Sequence, residues 1–219
     1  MSRTDDSGAL KELGRASIQI VHDLKNQLNG LKLYATFLRK RLEKGERPGD
    51  ELETVNKLIA GLDRAATDLS TITQYSREIE VNKQPGFDLR KVLRGICSEL
   101  NSDSPQVVFE ADEKDLSGTF DPSKVTDSLR WISLGVLKYQ LNGDLPPTIK
   151  IARVDEEGPA KPSVLIEWSG SNSWDHDPFR SFVGTDEIRM SLACKILESH
   201  GGTVEVEDKV IKVKLPLES

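Results

Sequence analysis

The chain has 219 residues, 37% of them hydrophobic and 30% charged, with a net charge of -6. That is the balance of an ordinary soluble globular protein with room for one or two domains, and the acidic surplus argues against wholesale nucleic-acid binding, which normally shows as a basic excess. No run of about 18 apolar residues is available to span a bilayer, and Met1 to Gly8 is polar and acidic, unlike a secretion signal. The expectation is a cytoplasmic protein with no membrane and no nucleic-acid partner. Cys97 and Cys194 lie far apart inside apolar helical patterns, and are read as buried thiols, neither a disulfide nor a metal pair.

From Leu10 to Leu42 no proline interrupts the chain, and Ser17, Val21, Leu24, Leu28, Leu31, Ala35, Leu38 and Leu42 step by four and three, the seam of one long helix. Lys44 to Gly49 has the chemistry of a turn, and Asp50 with Glu53 three residues later forms a capping box for a second helix. There Leu52, Val55, Ile59, Leu62, Ala66, Leu69, Thr73 and Ser76 make a second seam, running to about Glu80. Two seams predict an antiparallel hairpin. Apolar residues beside them (Ile18, Ile20, Leu33, Tyr34, Phe37, Leu58, Ile72) widen each stripe beyond what one partner helix covers. A homodimer is therefore expected, two hairpins forming a four-helix bundle about a two-fold axis.

After Lys83 the period changes. Phe87 to Leu100 reads as a helix, Val107 to Ala111 as a strand, Ser123 to Leu141 as a helix, and Thr148 to Val154 and Ser163 to Trp168 as strands. Thr185 to His200 reads as a helix closed by Gly201 and Gly202, and Thr203 to Leu215 as a strand pair around Asp208. The fold class is α+β, a helical module over residues 1–82 followed by an α/β sandwich over 83–219.

His22 falls one position past Val21, at the edge of the stripe, with Asp23 beside it and Asn26 four residues on. A neutral ring nitrogen can attack phosphorus while a neighbouring carboxylate orients the ring and takes up its proton. Ile20 to Leu31 (IVHDLKNQLNGL) resembles the phosphoacceptor motif of bacterial sensor histidine kinases, His-Asp/Glu-x-x-Asn/Thr followed by Leu, on the first helix of a dimerising hairpin. The resemblance implies His22 as the phosphorylated residue, Asp23 as its acid–base neighbour, and Asn26 as a residue able to position a hydrolytic water. Lys25, Gln27, Leu28 and Leu31, with Ile72 and Tyr75 from the second helix, are the candidates for docking a partner.

The second module resembles that family's ATP-binding domain, which holds magnesium and nucleotide on an Asn-Leu-Leu-x-Asn-Ala-x-Lys-Tyr box, an Asp-x-Gly-x-Gly motif and a glycine-rich turn. Lys138 and Tyr139 match, but Trp131 and Gly135 stand where the asparagines should be, and magnesium needs oxygen ligands. Gly170, Asn172 and Trp174 replace the aspartate and glycines. Phe179 and Phe182 resemble the Phe-x-x-Phe element, but only Val183 to Glu187 follow before the turn, where Glu187 and Arg189 replace the glycines. Glutamate there repels phosphate. No cofactor is therefore expected, and any magnesium comes with the partner. His200 reads as a cation suited to a helix C-terminus, His176 as a solvated loop residue, and Trp131, Trp168 and Trp174 as filling core or the vacated pocket.

The resemblance then implies a histidine phosphotransferase, like the dimeric phosphotransferases with degenerate kinase-like second domains, which passes phosphoryl between response-regulator receiver domains through His22 without ATP. The alternatives are a response-regulator phosphatase using Asn26, a pseudokinase that regulates by binding, and, requiring three restored motifs, a working kinase.

Overall fold

The computed structural model describes residues 20, 23–24, 26–38, 40–41, 50–102, 107–139, 146–155, 162–170, 177–180, 184–207 and 209–217. They fall into two compact units, one within Met1–Arg77 and Ser181–Ile188, the other within Glu78–Arg180 and Arg189–Ser219. No helix among the described residues is long and apolar enough to cross a membrane.

In the first unit, helix α1 (residues 26–38) and helix α2 (Asp50–Ser76) run antiparallel, since Gln27 bonds Asp68 while Leu31 packs beside Gly61. The turn at Lys44 to Gly49 and the side chain of Asp50 lie outside the described residues, and Glu53 pairs with Lys57 at 2.6 Å.

The buried line of this hairpin is not the one its heptads predict. On α2 the expected seam residues Val55, Ile59, Leu62, Ala66, Leu69, Thr73 and Ser76 are all exposed. The line facing α1 is Thr54, Leu58, Gly61, Ala65, Asp68, Thr71 and Tyr75, one position earlier at most steps. On α1, Leu31 is 8% exposed whereas Leu28, assigned to the same seam, is 58% exposed. Side-chain size gives the reason. A Cβ on Gly61 would stand 2.9 Å from Leu31 Cδ2, so the small line lets the helices approach closely and the aliphatic line is left outside. Periodicity cannot rank two adjacent stripes on one helix.

After Arg77 the order is β1 (Gln84–Asp88), α3 (Leu89–Asn101), β2 (Val108–Ala111), β3 (Ser117–Phe120), α4 (Pro122–Tyr139), β4 (Thr148–Val154), β5 (Ser163–Ser169), α5 (Thr185–Ser199, of which the residues from Arg189 belong to the second unit), β6 (Thr203–Glu207) and β7 (Val210–Pro216). A five-stranded sheet runs β2-β4-β5-β7-β6, parallel only between β2 and β4, and β1 pairs with β3 as a separate ribbon. That ribbon escapes the sequence reading, which begins a helix at Phe87. Gln84-Pro85-Gly86 reads as a turn, Gly86 has φ +76°, and the register shifts between Gln84 and Phe87, so no alternation announces the strand. The helix starts two residues later, where Asp88 accepts from the Arg90 and Lys91 amides at 3.0 and 3.3 Å.

One sheet face carries the core. Ile149, Ile151, Val164, Ile166, Trp168, Ile211, Val213 and Leu215 meet Leu93 and Ile96 of α3, Leu129 and Ile132 of α4, and Met190, Ala193 and Leu197 of α5. Cys97 is buried, whereas Cys194 is only half-buried, and desolvation pushes both thiols up, to about 11 and about 12. The other sheet face carries a row of alternating charge, since Glu110 pairs with Lys150, Lys150 with Glu167, Glu167 with Lys212, and Lys212 with Glu205.

His200 is buried and uncharged, which overturns its reading as a helix-end cation. Nε2 accepts from the Asp121 amide at 3.0 Å and Nδ1 donates to the Ile196 carbonyl at 2.8 Å, a tautomer that uses both nitrogens. Burial lowers its pKa below 6.5, against the opposing hydrogen bond to Ile196. Beside it, burial would raise the Asp121 carboxyl, but bonds from Asn82, Lys124 and Ser123 hold it far below its ordinary range.

Two outcomes follow from this packing. Lys212→Glu sets like charges opposite Glu167 and Glu205 and lowers unfolding stability by about 1 kcal/mol in a urea titration, and adding Glu167→Lys recovers part of it. Because the folded pKa of His200 is depressed, the unfolded chain takes up the extra proton as pH falls through 6.5 and stability falls with it. A His200→Gln variant loses that slope in pH-dependent thermal unfolding, while the Asp121 contribution persists until pH falls below its ordinary 3.8.

Candidate functional site

His22 and Lys25 lie outside the described residues, and the site is described from their neighbours. Asp23 and Leu24 are half-buried and Asn26 is exposed, so Asp23 leans toward the hairpin seam while Asn26 faces solvent. Of the docking candidates, Leu28 is exposed and Ile72 and Tyr75 are half-buried. Two offer no free docking surface. Leu31 is buried against Gly61, and Gln27 turns inward, its amide donating to Asp68 Oδ2 at 3.0 Å.

Asp68 is the residue that sequence reasoning missed. It is 5% exposed, although an aspartate in an amphipathic helix is ordinarily assigned to the solvent side. The available signal was its spacing, three residues after Ala65 and seven after Gly61, on the line of small residues.

In the second unit the positions that would hold magnesium and nucleotide can be tested against the packing. The Met190 thioether occupies the place where a Cβ on Gly135 would stand, so an asparagine there meets the core. Trp131 offers no oxygen and packs against the same core. Gly170 has φ +92°, and a Cβ on it would lie 2.9 Å from the Pro146 carbonyl oxygen, so an aspartate is excluded by both backbone and space. Trp168 fills the layer beneath, its indole donating to Ser133 Oγ at 2.9 Å. Phe179 is buried, Glu187 is buried and Arg189 half-buried, while Phe182, Asn172, Trp174 and His176 lie outside the described residues. The side chains present at Trp131, Gly135 and Gly170 do not fit a magnesium–nucleotide group.

No protein-family model and no curated protein sequence matches the chain. Solved structures do. The Acinetobacter baumannii histidine kinase AdeS is 16% identical with a TM-score of 0.64, over 90% of this chain and 98% of that one. The histidine kinase ThkA, solved in complex with the response regulator protein TrrA, is 22% identical with a TM-score of 0.66, over 96% of this chain. Full-length ShkA, solved in complex with AMPPNP, is 14% identical with a TM-score of 0.59 over 89% of this chain. The chain spans 64% of that ThkA chain and 46% of that ShkA chain. Gly135→Asn lowers stability by about 1–3 kcal/mol in thermal unfolding through overpacking against Met190, and shows no nucleotide binding by calorimetry. In fold, this chain resembles these solved histidine kinases, and its second unit carries a five-stranded mixed sheet.

Proposed function

We propose that the chain is a dimeric histidine phosphotransferase of a two-component phosphorelay, carrying phosphoryl groups between response-regulator receiver domains on His22 without ATP. The observation that carries the reading is Met190 seated over Gly135, which sets a thioether where a kinase needs an oxygen ligand. A kinase-like fold whose nucleotide positions are taken up by core packing retains a use for its histidine only if phosphate arrives another way.

In the forward step the His22 ring nitrogen attacks the phosphorus of a receiver's aspartyl phosphate. The nitrogen–phosphorus bond forms as the acyl oxygen–phosphorus bond breaks, and the carboxylate leaves with its electron pair. The reverse step passes the group to a second receiver. Asp23 orients the imidazole and takes up its ring proton. Phosphoryl transfer asks chiefly for positioning and charge neutralisation, and the receiver's own magnesium supplies the latter. That ThkA was solved with a response regulator supports receivers as partners.

The homodimer uses the line that the hairpin leaves outside. Val55, Ile59, Leu62 and Leu69 of α2 and Leu28 of α1 are exposed aliphatics at heptad spacing, an apolar face longer than a monomeric hairpin keeps in water. The protein works in the cytoplasm, where receivers are phosphorylated. Asn26, exposed on α1, favours a second activity of the same site, placing a water to hydrolyse the receiver's phosphate.

Purified protein is incubated with radiolabelled ATP and magnesium, and separately with a phosphorylated receiver, beside His22→Ala. Label arrives from the receiver only, and only with His22 present; label from ATP overturns the reading. Asn26→Ala keeps transfer and lowers phosphate release. Ile59→Glu with Leu62→Glu converts the dimer to monomer in light scattering while helical circular dichroism is largely kept.

A further inference from the structure

We infer that Asp121 and His200 form a pH-sensitive latch on the stretch that leads from α2 into β1, closed while the His200 imidazole is neutral and opened by a proton on its Nε2. Residues 78–83 form neither helix nor strand, and belong with the sandwich that follows them. Ile79 and Val81 are half-buried, while Glu78, Glu80, Asn82 and Lys83 are exposed. The Asn82 amide donates to Asp121 Oδ2 at 2.9 Å. Charge ties the same stretch to α5. Glu78 stands near Lys195, where it opposes the lowering that burial imposes on the ammonium, and Lys83 stands near His200.

Asp121 divides its oxygens between two tasks. Oδ1 accepts from Ser123 Oγ at 2.8 Å and from the Lys124 amide at 3.1 Å, which caps α4. Oδ2 accepts from the Asn82 amide and from the Lys124 ammonium at the end of its flexible stem. The Asp121 amide donates to His200 Nε2, and His200 Nδ1 donates to the Ile196 carbonyl. A proton from solvent can therefore enter the ring only on Nε2, whose lone pair holds the Asp121 amide. Once it is there, two N–H groups face each other at 3.0 Å and their bond is lost. The new cation lies beside the carboxylate of the same residue. An imidazolium–carboxylate bond joins two charges, where the Asn82 amide offers only a dipole. Oδ2 turns to His200 and leaves Asn82, while Oδ1 keeps the cap, and Lys83 is repelled. Burial, Lys83 and Lys124 oppose the proton, while the Ile196 carbonyl and Asp121 favour it, so the latch opens below pH 6.5. The stretch is a covalent connection between the two units, and on opening it gains freedom while the core stays packed.

Backbone hydrogen exchange of the full chain is followed by NMR at about pH 7.5 and about pH 5, with rates corrected for the intrinsic effect of pH. The Asn82 amide loses about tenfold in protection at the lower pH, while the amides of β5 keep theirs. His200→Gln, which keeps an acceptor for the Asp121 amide and takes up no proton, abolishes the loss. Should that variant fail to fold, a titration of the wild-type chain reads the latch directly, the Asn82 amide shift moving with the same midpoint as the His200 ring. Equal protection at both pH values, a loss shared by β5, a loss that survives His200→Gln, or separate midpoints for Asn82 and His200 overturns the proposal.

Discussion

The second unit depends on how closely α5 lies against α4. Two ties set that distance. Near the middle, the Met190 thioether takes the space that any side chain at position 135 would need. At the end, the His200 ring bridges the Ile196 carbonyl of α5 to the Asp121 amide that opens α4. The Trp168 indole, bonded to Ser133, closes the layer between these helices and β5. A nucleotide site requires polar side chains and room in this layer. Here that volume is packed with apolar side chains.

The hairpin divides its residues the opposite way. It spends its small and polar residues on the internal contact and leaves its aliphatics outside. Gly61 and Ala65 allow close approach, while Asp68 and Gln27 meet where hydrophobic side chains would be the simpler choice. A polar pair inside a helical contact fixes register, because sliding or rotating either helix leaves a carboxylate without its donor. The outer line carries no such constraint.

Much of this was legible in the amino-acid order. The helices from Ser123 and Thr185, and the strands at Thr148, Ser163 and either side of Asp208, stand within a residue or two of where pattern and turn residues put them. Trp131, Gly135 and Gly170 were legible as residues whose side chains carry no ligand oxygen. Less was legible where the signal is not periodic. The β1–β3 ribbon is short, glycine-bearing and bulged, and its pairing joins residues more than thirty apart.

By itself the sequence determined the α+β class, the placement of the helices from Ser123 and Thr185, and the residue types at His22, Trp131, Gly135 and Gly170, because these depend on local period and residue chemistry. Tertiary structure alone decided which of two adjacent stripes the hairpin buries, that Gln27 and Asp68 face one another, that His200 is neutral, and that Met190 fills the space over Gly135. Each of those outcomes is a competition for the same volume between residues distant in sequence, and its winner depends on side-chain size across the contact.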